Sequence, residues 1–389
     1  MSPASYQDFV KFRAQTSPCI SSLSQHLNKK PLFESQIVFL DYPHDVTGKA
    51  EPDPFILAEN GFVDLLATTP PATTRLLFIE NISPSLIAVV GEALDVDPLF
   101  FSEYVDTSFQ DIEEAPLPPS LAVLPSIISA NNYIHLHWQQ VVDLGKSEDF
   151  ANAPYALQTH SNVPRNVRRL QPLSGRQLAL SRACCAFLVK SMGDSRICLF
   201  LVDNSMPLVV EASGTERDKI YQAKTMHGGF EDAKPLLSYS SFAAGKASRP
   251  LDRSSMLNNL VHWFQRQPPP GFQADSASLL SLGYYPIRII LSQWNFYIYL
   301  TSRYSKHYEY TLCDTTTRLH NDDIVDLQRW RRRSKRSQYK LMILSEIIAY
   351  HLRLEDSQEP WTPLIKDVNY LREELQDFNR SVEQMITVR

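Results

Sequence analysis

Four clusters in this sequence have residue types and spacings that could do chemistry. His135-x-His137 sets two imidazoles two residues apart, and on a strand both would share one face, as a metal site or an acid/base pair requires. No Asp, Glu or Cys at a matching spacing completes a zinc set, so no metal is assigned, and a plain polar strand face is the competing reading. Cys184-Cys185 lies in an apolar run without a helix start or a basic partner to stabilise a thiolate, which makes both thiols structural. Residues 288–300 read as an aromatic-rich strand with Arg288, Ile290, Ser292, Trp294, Phe296 and Ile298 on one face. If that face lines a cavity, Trp294 and Phe296 could stack on a flat conjugated ring while Arg288 polarises a carbonyl; a core strand with an edge arginine is the alternative. The basic run 329–336, RWRRRSKR, invites a nucleic-acid reading. Helical spacing spreads its charges around the cylinder and the acidic stretch 322–326 compensates them, so it reads as a solvated helix face.

The elements that would hold these residues follow from periodicity. An apolar run at 76–79 predicts a buried strand, after which Ser83 can cap a helix that Pro84 opens and that Leu86, Ile87, Val89, Val90 and Leu94 give an apolar face. Asp97-Pro98 starts a second short helix carrying Leu99, Phe100 and Tyr104. Residues 1–30 predict one or two amphipathic helices, 36–40 a first strand, and the segment PFILAENGFVDLLA a short helix. Residues 133–144 predict a strand with Ile134, Leu136, Trp138 and Val142 on one face and Tyr133, His135, His137 and Val141 on the other. A basic segment, SNVPRNVRRLQPLSGRQ, is expected to cross the surface. Residues 183–191 and 196–203 predict a hairpin turning at Gly193. A long loop at 213–253, a helix at 255–265, strands at 287–300 and 308–313, and helices over 321–353 and 364–385 complete the chain. The predicted class is α+β: a mixed β-sheet body flanked by helices over 1–320, β-rich from 130, then a C-terminal helical hairpin over 321–389.

Composition narrows the function. The chain has 389 residues, 43% hydrophobic and 21% charged, which is ordinary globular material. A net charge of -5 argues against a protein built as a whole to coat nucleic acid or an anionic membrane. Five cysteines without regular spacing fit reduced thiols and a cytoplasmic setting. No apolar core of a signal peptide and no membrane span is predicted. There is no Gly-rich phosphate loop, no G-x-S-x-G elbow and no EF-hand loop, which removes the NTPase, serine-hydrolase and calcium-sensor classes.

Two stretches carry a resemblance. Residues 75–104, with Glu80-Asn-Ile-Ser83-Pro84, Gly91, Asp97-Pro98 and Phe100-Phe101, resemble the cytosolic domain of fungal CorA-like divalent-cation transporters. Trp330-Arg-Arg-Arg, Tyr339-Lys-Leu, Glu359-Pro360-Trp361 and Leu364-Ile365-x-Asp367 look like that family's stalk. The Gly-Met-Asn signature and the membrane helices of a transporter are missing, and the chain's own Met favours a naturally membrane-free relative over an excised piece. Such relatives are similar to hetero-Diels–Alderases of fungal natural-product pathways, which join a tropolone-derived quinone methide to a sesquiterpene such as humulene. The resemblance therefore implies a cofactor-independent [4+2] cycloaddition of apolar polyketide and terpene partners, driven by orientation, in a monomer or small homo-oligomer. Arg288 and His137 are the expected catalytic groups, and Trp294, Phe296, Trp138 and His135 the expected substrate lining. A regulatory domain of a magnesium transporter, or a scaffold docking partners on an exposed apolar stripe along 364–385, are the alternatives.

Overall fold

A computed structural model describes residues 4–44, 51–105, 124–205, 208–211, 219–226, 238–245, 255–313, 321–354 and 358–387. Its frame is one mixed sheet of strands β1 (Gln36–Pro43), β2 (Phe55–Leu57), β3 (Thr73–Glu80), β4 (Tyr133–Lys146), β5 (Ala156–Thr159), β6 (Asn166–Arg169), β7 (Arg176–Met192), β8 (Ser195–Val202), β9 (Leu208–Glu211), β10 (Ile220–Gln222) and β11 (Lys224–Thr225). The order β10-β9-β5-β6-β7-β8-β3-β1-β2 forms the main path, with β4 paired to β7 and β11 to β4. Among the described strands β3 and β8 pair in parallel and the other pairs are antiparallel.

Helices cover both faces, and the strand sequences show why. All eight residues of β3 are buried, because Leu77 and Ile79 pack on one side while Leu76 and Phe78 pack on the other. A strand covered twice must be apolar throughout, and for that reason 76–79 reads as a continuous run. The first layer holds helices Tyr6–Thr16, Ser21–His26, Phe62–Ala67, Pro84–Ala93 and Pro98–Val105. The second holds helices Met256–Arg266, Leu279–Cys313, Asn321–Leu352 and Thr362–Thr387, whose shared core takes residues from both sides of position 320.

The strand-to-helix switch after β3 forms as expected. Ser83 Oγ accepts from Leu86 N–H at 3.1 Å, Pro84 occupies the first helical turn, and Asp97 Oδ1 accepts from Leu99 N–H at 2.9 Å. The N-terminal helices, β1, β4, the β7–β8 hairpin and the helices Met256–Arg266, Asn321–Leu352 and Thr362–Thr387 also stand where the pattern places them. The apolar stripe Leu364, Val368, Leu371, Leu375, Phe378, Val382 and Met385 is buried in the protein's own core, so it offers no docking surface in this fold.

Three expectations are corrected. The segment PFILAENGFVDLLA is not one helix: Phe55–Leu57 pairs with β1 as β2, and only Phe62–Ala67 is α-helical. The segments 287–300 and 308–313 are not strands; they belong to one helix, Leu279–Cys313. Aromatic and β-branched residues suggested strand propensity, but the buried positions Ile287, Ile290, Leu291, Trp294, Tyr297, Ile298, Thr301, Tyr304 and Tyr308 recur at three and four, and tertiary burial decided. The segment from 161 to 177 does not simply cross the surface. It contributes β6, and Arg165 within it is 2% exposed, held by Asp203. The acidic link at 111–120 and most of the 213–253 stretch lie outside the described residues, apart from β10, β11 and the short helix Tyr239–Ala243.

Candidate functional site

Strand β4 aligns the histidines. Its alternation puts Tyr133, His135, His137 and Gln139 on one face and Ile134, Leu136 and Trp138 on the other, and pairing with β7 sets His137 opposite Cys184 and Gln139 opposite Arg182. The Pro98–Val105 helix closes over the first part of that face. His135 Nδ1 lies 2.9 Å from Glu103 Oε2, and its Nε2–H donates to the Phe100 carbonyl at 3.0 Å. The Nε2 bond ties that helix to the sheet, with the Glu103 carboxylate set beside the other nitrogen. The His137 ring stacks 6.3 Å from that of His135, and burial together with the nearby Lys340 charge keeps it neutral, well below the usual histidine range.

The other expected residues do not join this face. Trp138 is 4% exposed and packs in the core on the opposite side of β4. Trp294 is 1% exposed, edge-on to Tyr297 at 5.5 Å. Phe296 is half-buried two residues further along the same helix, where a step of about 200° turns it away from Trp294, so the pair cannot present the common face that a strand would give. Arg288 donates to the Tyr284 hydroxyl at 3.1 Å and stands near Asp367 of the last helix. Among the expected residues the structure brings together His135 and His137, and leaves Trp138 and the helix residues Arg288, Trp294 and Phe296 apart from them.

Next to His137 on the same face, the sheet and the basic helix Asn321–Leu352 enclose an open cleft of about 830 Å³. Its floor is Gln139 from β4, Asn166 and Arg168 from β6, and Leu180 and Arg182 from β7; its wall is Arg329, Arg332, Arg333, Lys335, Arg336 and Tyr339. Tyr155, just before β5, stands at the rim. The Arg333 guanidinium donates to its hydroxyl at 3.1 Å, and the Arg329 guanidinium lies 3.9 Å from its ring centroid. No Asp or Glu lines the cleft among the described residues. Arg329 reaches Asp326 at 4.0 Å, and Lys335 shares Glu383 of the last helix with Arg331, at 3.1 and 2.9 Å.

Helical geometry sorts the basic run. Trp330, Ser334 and Ser337 face the core, Arg331 turns to Glu383, and positions 329, 333, 336 and 340 fall on the stripe that faces the sheet. The run is therefore only partly the solvated face read from the sequence. Cations from three elements converge, and their crowding shows in their acidities. Burial, then Arg336 and Arg168, lower Arg182 to about 10. Burial, then Arg182, lower Lys340 to about 7. Positive charge concentrated in a cleft with no Asp or Glu among its described lining residues is an arrangement that an anion would favour.

Sequence reasoning missed Arg168, Arg182, Tyr155 and Lys340. A signal existed for one of them: 329, 333, 336 and 340 are spaced four, three and four, the repeat of a single helix face. The matching cations on β6 and β7 carry no local mark, since only the sheet brings them beneath that helix. Among the described residues no group of histidines, cysteines and carboxylates forms a metal site, and no helix is long and apolar enough to cross a membrane. Compared with known protein families and with curated proteins, the sequence matches none.

Proposed function

We propose that this protein binds a small polyanion, a compound carrying two or more phosphate or carboxylate groups, in the cleft between the β4–β6–β7 face and the basic helix. The observation that carries this reading is the convergence of Arg168, Arg182, Arg329, Arg332, Arg333 and Arg336 on one open cleft whose volume suits a drug-sized ligand. Guanidiniums fit phosphate and carboxylate oxygens in pairs, and each charge-assisted contact is worth roughly 1.5–3 kcal/mol. The stripe from 329 to 340 is about 16 Å long, enough to engage more than one anionic group. Tyr155 and Tyr339 add flat surfaces for a ring on the same ligand.

Calorimetric titration with inorganic pyrophosphate tests this. Binding that weakens as salt rises, and that Arg333→Ala with Arg336→Ala reduces by about tenfold or more, is expected. Absence of heat at millimolar ligand, or equal binding by the double variant, would overturn it. Preference for single-stranded RNA over pyrophosphate would move the reading to a nucleic-acid interface.

The cycloaddition and the transporter-regulatory role rest on the family resemblance and make different demands, the first an apolar site for polyketide and terpene partners, the second acidic side chains meeting at a subunit interface. Incubation with a quinone methide and a sesquiterpene that left the uncatalysed product ratio unchanged would set the cycloaddition aside.

A further inference from the structure

The floor of the cleft is not uniformly basic. Strand pairing sets Gln139 opposite Arg182 and Arg168 opposite Leu180. Val167 opposes Ser181, so the next step of that register brings Asn166 level with Arg182. Two rows therefore cross the floor about 7 Å apart, one of Gln139, Arg182 and Asn166, the other of Leu180 and Arg168. The cations above them gather unevenly. Arg168 and Arg329 stand 5.9 and 3.9 Å from the Tyr155 ring centroid, and Arg333 is 3.1 Å from its hydroxyl. Tyr339 lies on the helix about 15 Å beyond Arg329 and one turn beyond Arg336, whose charge acts on Arg182. The cleft thus has a guanidinium end at Tyr155 and a second end, towards Tyr339, where two carboxamides flank one guanidinium.

We propose that the anion this cleft takes is a nucleoside di- or triphosphate, with its phosphates among Arg168, Arg329 and Arg333 and its base at Gln139, Asn166 and Tyr339. The assignment rests on the anion-binding reading of the cleft and names the class of compound. Ionised phosphate oxygens only accept hydrogen bonds, so guanidiniums satisfy them and the carbonyl half of a carboxamide does nothing for them. A nucleobase edge mixes donors and acceptors, which is the pattern that Gln139 and Asn166 match. Its flat face suits a tyrosine ring or a guanidinium plane, and Tyr339 and Arg182 supply one of each at that end. Size agrees as well. A volume of about 830 Å³ takes a drug-sized molecule, whereas pyrophosphate alone would fill only the arginine end.

Calorimetric titration of the full chain compares ADP, GDP, CDP and UDP with pyrophosphate, in EDTA because no Asp or Glu among the described lining residues offers a magnesium ligand. None of the four is more negative than pyrophosphate, so a gain in affinity reports the nucleoside. Expected is at least one nucleotide bound about tenfold or more tightly than pyrophosphate, a ratio that Gln139→Leu with Tyr339→Leu brings to within about twofold. Arg329→Ala with Arg333→Ala should weaken nucleotide and pyrophosphate together. Pyrophosphate bound as tightly as all four nucleotides, or a ratio left intact by the two leucines, would overturn this proposal and leave the anion-binding reading standing. Nucleotide and pyrophosphate binding both undiminished by the loss of the two arginines would sink that reading and this one with it. Tighter binding of a single-stranded RNA than of every nucleotide would overturn the proposal in favour of a nucleic-acid interface.

Discussion

Two regions built on arginine lie side by side on the sheet around β7, one a single buried guanidinium and the other a cluster of them. Around Arg165 each donor has a fixed acceptor. Its Nη2 reaches Asp203 Oδ1 at 2.5 Å, its Nε reaches Oδ2 at 2.9 Å, and its Nη1 reaches the Tyr104 carbonyl at 2.7 Å. Asp203 also accepts from the Tyr104 hydroxyl and the Cys184 amide, at 2.9 and 2.7 Å. In the cleft a few residues away, Arg168, Arg182, Arg333 and Arg336 stand together around open space with an aromatic ring at the rim. The first arrangement is closed and finished, so its purpose is to hold helix Pro98–Val105, the segment before β6 and the end of β8 in one place. The second lines an open cleft with no Asp or Glu among its described lining residues, which suits an anion that enters.

The largest effect that could break this contrast is Asp203→Ala. It strands a buried guanidinium and should cost about 3–5 kcal/mol in denaturant unfolding; a loss under about 1 kcal/mol would mean the network is decorative. Arg333→Ala with Arg336→Ala should do the reverse, lowering pyrophosphate affinity by about tenfold or more while leaving stability unchanged or higher, because mutual repulsion is relieved. A matching fall in the unfolding midpoint would show that the cleft arginines are structural after all.

Next comes a pH effect. The folded-state value of Lys340 is lowered from 10.5 to about 7, so between those values the unfolded chain binds more protons than the folded one, and stability should rise with pH across that window. The slope is at most about 1.4 kcal/mol per pH unit, and the penalty is constant below about pH 7. Lys340→Met should flatten the rise, and saturating pyrophosphate should lift the midpoint most at the low-pH end. A slope identical in Lys340→Met would detach the effect from this residue. The smallest change is expected from Glu383→Gln. It loosens the exposed pairs to Arg331 and Lys335, which solvent screens, so the unfolding midpoint should barely move.

What could be read from the sequence divides along the same line. The switch at Ser83-Pro84, the alternation of β4 and the hairpin at Gly193 were legible because each depends on neighbours in sequence: a cap, a period of two, a turn residue. The Leu279–Cys313 helix was not, because its aromatic content imitates a strand and only the packing of Trp294, Tyr297 and Tyr304 against the other helices reveals the period. The site was legible in halves. His135-x-His137 and the basic run were both visible, but His135 turns out to brace Glu103 and Phe100, and the basic run gains meaning from Arg168 and Arg182, which reach it through strand register. Arg165 shows the limit most plainly, since its burial depends on Asp203, far along the chain.

The position of β7 also sets an order of events. One edge of β7 pairs with β4 along most of its length, and the other is divided between β6 and β8. The β7–β8 pair closes through a two-residue turn with Gly193 at φ +60°, whereas β3 must find β8 with Thr74 opposite Arg196, a parallel match between distant parts of the chain. Closing such a distant pair costs entropy that a local hairpin does not, so β7–β8 forms first and serves as the template on which β3 and β4 assemble. In stopped-flow refolding Gly193→Ala, which strains that turn, should therefore slow folding more than it speeds unfolding, and the opposite partition would place the nucleus elsewhere.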